Sequence, residues 1–77
     1  MKFSHYVENL LENGYREIGY FTGIRVFLGS HMLITVDEYS GGFQVTFDSV
    51  KHNIGCAYYV SSEKQLCQLI GEMLNEN

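Results

Sequence analysis

The sequence predicts an α+β fold: an antiparallel sheet of three to four strands, with an N-terminal and a C-terminal helix packed on one face of it. Three observations carry that expectation. Residues 31–48 read as strand, glycine turn and strand. Phe3, Val7, Leu10 and Leu11 recur at helical spacing before them, and Leu66, Leu69, Ile70, Met73 and Leu74 do so after them.

The hairpin over 31–48 is central. Met32, Ile34 and Val36 point one way; Phe43, Val45 and Phe47 answer them across Ser40–Gly41–Gly42, and Gln44, Thr46 and Asp48 face outward. The two glycines accept the positive φ angles of a tight hairpin turn. Closing the loop at Ser40–Gly41 or at Gly41–Gly42 sets even-numbered residues opposite odd-numbered ones. Ile34 and Val36 therefore share a face with Val45 and Phe47 in either case.

The first helix is expected over about residues 4–13, with Ser4 as N-cap, Gly14 as the left-handed terminator, and Glu8 and Glu12 on the wet face. Between Tyr15 and Thr22, Ile18 and Tyr20 alternate, but Gly14, Gly19 and Gly23 interrupt. The segment reads as a loop, or as a short strand bulging at Gly23. Ile24, Val26 and Leu28 alternate with Arg25 and Phe27 as a strand, and Gly29–Ser30 suits a two-residue turn with glycine first. That turn joins Ile24, Val26 and Leu28 to the face of His31 and Leu33, and Arg25 and Phe27 to the face of Met32, Ile34 and Val36. Either a bulge restores one apolar face, or the sheet is apolar on both sides and leaves Val26, Leu28 and Leu33 for a partner. Asp48 to Gly55 reads as a polar connection and Cys56–Val60 as a short strand. Ser62 with Gln65 gives capping-box spacing for a last helix ending near Asn75.

Length and composition bound the function. Seventy-seven residues are expected to form one domain, 1–77, with one modest core. Charged residues make up 18%, below the roughly 25% of an average soluble domain. A surface finished with Ser, Asn, Gln, Gly and Tyr favours association. Nine acids against five dispersed bases give a net charge of −4, which argues against direct nucleic-acid binding. No stretch has the ~18 apolar residues of a membrane span, and Met1–Lys2–Phe3 leads into no apolar signal core. The expected location is cytoplasmic, with both cysteines free in a reducing compartment.

Chemistry-bearing constellations are thin. His31, His52, Cys56 and Cys67 could supply zinc donors, but paired Cys-x-x-Cys spacing is missing and the four come from four elements. A cysteine nucleophile needs a base in reach and a lowered thiol pKa; Cys67 is in the second turn of its helix, beside the apolar stripe, and no glycine elbow presents either thiol. Asp37 and Glu38 are strand neighbours that point to opposite faces. Gly41–Gly42 leads into a strand, whereas phosphate loops lead into a helix. The expectation is no catalytic residue, no metal and no cofactor.

The six tyrosines stand out. Tyr6, Tyr15, Tyr20, Tyr39, Tyr58 and Tyr59 exceed what one small core needs. Tyr58 and Tyr59 are adjacent on a strand, so at most one lies fully against the core, and Tyr39 is at a turn. Tyrosine combines a large contact area with a polar tip, which suits interfaces; the same side chains also serve to cover sheet edges. The interface candidates are Tyr39, Tyr58 and Tyr59, with Tyr20, Phe27, Asp37 and Glu38. No motif resembles a known family. By class, small acidic α/β proteins without catalytic residues are typical of phage or mobile-element inhibitors, anti-CRISPR proteins among them, which block a larger machine by occupying a surface. The leading expectation is such a stoichiometric binder of an unknown protein partner. The alternative is a self-associating, homodimeric structural or immunity-type module, and the weakest reading is a small metal or thiol protein.

Overall fold

The structure is a computed structural model and describes residues 5–21, 23–49, 51 and 54–75. The order is α1 (His5–Glu12), β1 (Arg16–Phe21), β2 (Ile24–Leu28), β3 (Met32–Tyr39), β4 (Gly42–Ser49), β5 (Ile54–Val60) and α2 (Glu63–Asn75). The strands form an antiparallel meander in the order β1-β2-β3-β4-β5. The fold is α+β as expected, but the sheet has five strands, not three to four.

The additional strand is β1. Its alternation is broken because Ile18 is an extra residue: Glu17 pairs with Phe27 and Gly19 with Val26, so the ladder bulges at Ile18. The bulge is there and not at Gly23, which instead takes φ 78° in the tight connection before Ile24. Pairing with β2 imposes the extended state that the glycine-broken pattern obscured.

The central hairpin closes at Ser40–Gly41, with Tyr39 opposite Gly42. Both loop residues have positive φ, 53° and 80°, the type I′ geometry whose twist matches antiparallel strands. Ile34 pairs with Phe47 and Val36 with Val45, placing all four on one face. At the β2–β3 connection the loop is shifted: Gly29 N–H donates to the Met32 carbonyl (2.9 Å), and Leu28 lies opposite Leu33. The turn is therefore Ser30–His31, one residue later than Gly29–Ser30. Gly29 serves a different need, because any Cβ there would meet the Tyr15 ring at 2.6 Å. The register moves by two residues, so the faces are unchanged. Phe27 and Arg25 lie with Ile34 and Val36, and Ile24, Val26 and Leu28 lie with Leu33. The β2–β3 ladder has no bulge, so the sheet shows apolar residues on both faces, the second face being apolar at Val26, Leu28 and Leu33 and polar at Thr35, Asp37, Gln44 and Thr46.

The last two strands also outrun their expected limits. Asp48 pairs with Gly55 and Ser49 with Ile54, so residues expected in a connection belong to the ladder. Gly55 makes this local fit work, since the Asp48 carboxylate lies over it where a Cβ would sit.

Helix α1 ends in a Schellman motif. Gly14 has φ 87°, its N–H reaches the Leu11 carbonyl (3.2 Å), and the Tyr15 N–H reaches that of Leu10 (3.0 Å). At α2, the Gln65 N–H donates to Ser62 Oγ (3.2 Å). The Gln65 side-chain oxygen turns back one residue further than a standard capping box, accepting from Ser61 N–H and Oγ (both 2.9 Å). Ser4 and Phe3, expected at the start of α1, lie outside the described residues.

The buried side chains form one cluster: Tyr6 and Leu10 of α1, Phe27 of β2, Ile34 and Val36 of β3, Val45 and Phe47 of β4, Leu66 and Ile70 of α2. Tyr6 meets Phe27 edge to face, with ring centroids 6.1 Å apart. Leu11, expected in the apolar stripe, is exposed, and Tyr6 takes the inward position instead. Among the described residues no helix is long and apolar enough to cross a membrane.

The two faces differ in tolerance. Val45 is fully buried between Val36 and Tyr58 in the ladder, whereas Thr46 lies on the opposite face between Thr35 and Ala57. Val45→Asp places an unpaired carboxylate in the core and should cost several kcal/mol, unfolding most of the protein at room temperature. Thr46→Asp should change stability by about 1 kcal/mol or less. Thermal melts of the two variants check the assignment, and the opposite ranking would reverse it.

Candidate contact surface

Among the described residues, strand β5 and the tip of the β3–β4 hairpin carry the exposed aromatic side chains. Tyr39 is 59% exposed, Tyr59 52% and Tyr58 42%. The ladder explains the distribution. Tyr59 pairs with Gln44 on the face of Asp37 and Tyr39, while Tyr58 pairs with Val45 on the core-side face. Tyr58 packs edge-on against Phe47, centroids 5.8 Å apart, at the border of the core. Tyr59 leans back over β4, and its hydroxyl donates to the Ser40 carbonyl (3.1 Å). A side chain at position 42 would run into the Val60 carbonyl and the Tyr59 phenol, which is why Gly42 is glycine. Tyr39, Gln44, Ala57, Tyr58 and Tyr59 together line a shallow depression at this end of the sheet.

Of the other candidates, Asp37 and Glu38 fall on opposite faces, with Asp37 opposite Gln44 and Glu38 opposite Phe43. Tyr20 lies opposite Arg25 in the ladder, and its side chain falls outside the described residues. Phe27 requires correction. It is fully buried beneath Tyr6, because the β2 register turns it to the core, so it cannot meet a partner.

Sequence reasoning passed over the setting of these tyrosines. Gly55, Cys56, Ala57, Tyr58 and Tyr59 are all exposed, five consecutive positions covering both faces of β5. The signal was present: Ile54 to Val60 contains no charged residue and no proline. A second feature it missed is a polar clamp on the core-side face. Arg25 donates Nε and Nη2 to the Glu17 carboxylate (2.7 and 2.8 Å), interacts electrostatically with the Tyr6 hydroxyl and sits 5.7 Å from the Phe27 ring centroid. It ties β1 and α1 to β2. The hydrogen bond from Arg25 holds the Glu17 carboxyl below the usual carboxylate range, while burial pushes the Tyr6 hydroxyl up.

The potential ligands for chemistry are dispersed. His31 is in the β2–β3 turn, Cys56 is exposed on β5 and Cys67 is half-buried on α2; His52 lies outside the described residues. Among the described residues, no group of three or more His, Cys, Asp and Glu side chains is placed to hold a metal ion. Burial, and then the nearby Glu63 carboxylate, push the Cys67 thiol up. A recess lined by Asn13, Tyr15, Ser30, His31, Met32 and Leu74 offers one imidazole with no carboxylate or thiol beside it. Comparison with protein-family models, characterised proteins and solved structures finds no match.

Two outcomes follow from these environments. In the native protein Cys56 should react with a thiol reagent well before Cys67, and the denatured, unreduced chain should titrate two thiols; equal native rates would contradict the burial difference. The Glu17–Arg25 pair has a lowered carboxyl pKa in the fold, so its stabilisation is present above the unfolded carboxylate range and is lost as pH falls through the folded value. Both side chains are about 30% exposed, which limits the effect. Glu17→Gln should cost about 1 kcal/mol at pH 7, and the deficit against wild type should shrink in melts at pH 3.

Proposed function

We propose that this protein works by contact: a non-catalytic protein-binding module whose contact surface is the tyrosine-lined end of the sheet, at Tyr39, Tyr58 and Tyr59. The exposure of those three rings in one region carries the reading. Large, stiff side chains with polar tips lose little rotamer freedom on binding, and such residues dominate interface energetics. In this reading both helices cover the sheet face that holds Phe27, Ile34, Val45 and Phe47, leaving the face of Val26, Leu28, Leu33 and Tyr59 free. A small acidic chain of this kind suits a stoichiometric blocker of a larger host machine, such as mobile elements deploy, acting in the cytoplasm where its two free thiols stay reduced. A second reading, self-association, is favoured by the uncharged β5, whose residues 55–59 are exposed among the described residues.

The test compares binding with stability in the same variants. Tyr39→Ala and Tyr59→Ala should each weaken association about thirtyfold, the effect of losing an interface anchor. Tyr39→Ala should melt within a few degrees of wild type, and Tyr59→Ala, which also loses the bond to Ser40, should lose about 1 kcal/mol of stability, less than its loss of binding. Cys67→Ser should leave association intact. Tyrosine variants that lose stability in step with binding would make these rings structural and move the contact surface elsewhere.

A further inference from the structure

We infer that β5 is a docking edge for a second copy of this chain, pairing antiparallel with its own counterpart about a two-fold axis at Ala57. The inference deepens the contact reading above and rests on it for the location of the surface. It adds the occupant and the mode of binding.

The two edges of the sheet are built differently. Strand β1 has the features that discourage edge pairing: a bulge at Ile18 and the charged residues Arg16 and Glu17. Strand β5 has none of them. Its seven residues, Ile-Gly-Cys-Ala-Tyr-Tyr-Val, pair with β4 without a register shift, and they contain no charge and no proline. Nor do its aromatic side chains fold over the outer edge. Tyr59 is drawn back over Gly42 to the Ser40 carbonyl, and Tyr58 is drawn against Phe47. The main chain of β5 therefore presents alternate N–H and C=O groups outward, where strand addition can satisfy them.

The sequence of β5 selects a second copy as the occupant. Small residues fill its first half and tyrosines its second. With Ala57 opposite Ala57 of the second copy, each Tyr58 lies across from a Cys56 and each Tyr59 from a Gly55. Large thus meets small at the Tyr58–Cys56 and Tyr59–Gly55 pairs, one on each face, while Ile54 meets Val60 at the ends. An aromatic ring across from an edge glycine is a favourable cross-strand arrangement. The charge pattern agrees. Each chain carries a net charge of −4, yet none of it lies on β5, so two copies meet along this seam without opposing like charges. Residues paired across an antiparallel ladder share a face. The resulting ten-stranded sheet therefore has both core clusters on one side and a continuous second face on the other.

A charge exchange at the two-fold axis tests this. Ala57 is exposed, so Ala57→Lys and Ala57→Glu should each keep the wild-type melting temperature to within a few degrees. The wild type should sediment at twice 8.8 kDa at micromolar concentration. Each variant alone should dimerise about tenfold more weakly or worse, because it sets like charges against each other at the axis. An equimolar mixture of the two should return to the dimer mass. A monomeric wild type would overturn the inference, as would single variants that dimerise normally or a mixture that stays monomeric. If Tyr39→Ala and Tyr59→Ala weaken association while both position-57 variants dimerise normally, the tyrosine contact stands and the strand pairing falls. If charge exchange succeeds while the tyrosine variants associate normally, the pairing stands on its backbone and the tyrosine reading falls.

Discussion

The positive φ angles at Ser40 and Gly41 set the parity of the whole sheet. Because side chains alternate with a period of two, closing the loop there fixes which residues of β3 and β4 share a face. Ile34, Val36, Val45 and Phe47 then form the floor of the core, and each further strand inherits its orientation through the ladder. Phe27 is buried because it pairs with Ile34, and Arg25 reaches the core border because it pairs with Val36. The helices supply Tyr6, Leu10, Leu66 and Ile70 to the same cluster. One serine in a left-handed conformation is a modest strain for so much order.

The core does not extend equally to both ends of the sheet. Toward β1 it finishes in polar interactions: the Arg25 guanidinium joins Glu17, the Tyr6 hydroxyl and the Phe27 face, so an edge strand with an irregular ladder is still held. Toward β5 it finishes at Phe47 and Val60. Beyond them β5 is held by its ladder to β4 and by two aromatic attachments, Tyr58 on Phe47 and Tyr59 on Ser40. One edge is closed by charge and a bulge; the other is neutral and regular, with residues 55–59 exposed among the described residues. This asymmetry gives the molecule a direction along which contact with another sheet meets least resistance.

Several glycines record close approaches that no local pattern reveals. Gly29 makes room for Tyr15, Gly42 for the Val60 carbonyl and Tyr59, and Gly55 for the Asp48 carboxylate. In each case the neighbour comes from another strand or from a loop distant in sequence. Gly14 and Gly41 are different, since their left-handed backbones end a helix and turn a hairpin within a few residues.

That distinction separates what the sequence determined from what tertiary structure decided. The central hairpin, the end of α1 at Gly14, the start of α2 at Ser62 and the division of β2 between two faces all rest on interactions within one or two turns of chain, and all were legible. The apolar residues on the second face were foreseen as one of two outcomes for the same reason, since parity survives a register shift of two. The strand identity of Arg16–Phe21 was not legible, because a bulged, glycine-containing segment becomes extended only when β2 supplies its hydrogen bonds. Tyrosine exposure at 39, 58 and 59 followed from counting rings against core volume, but Phe27 among the contact candidates did not survive the register of β2. That β5 is an edge depends on strand order, which no single segment encodes. Long-range pairing decided it, because only the assembled sheet determines which strand comes last.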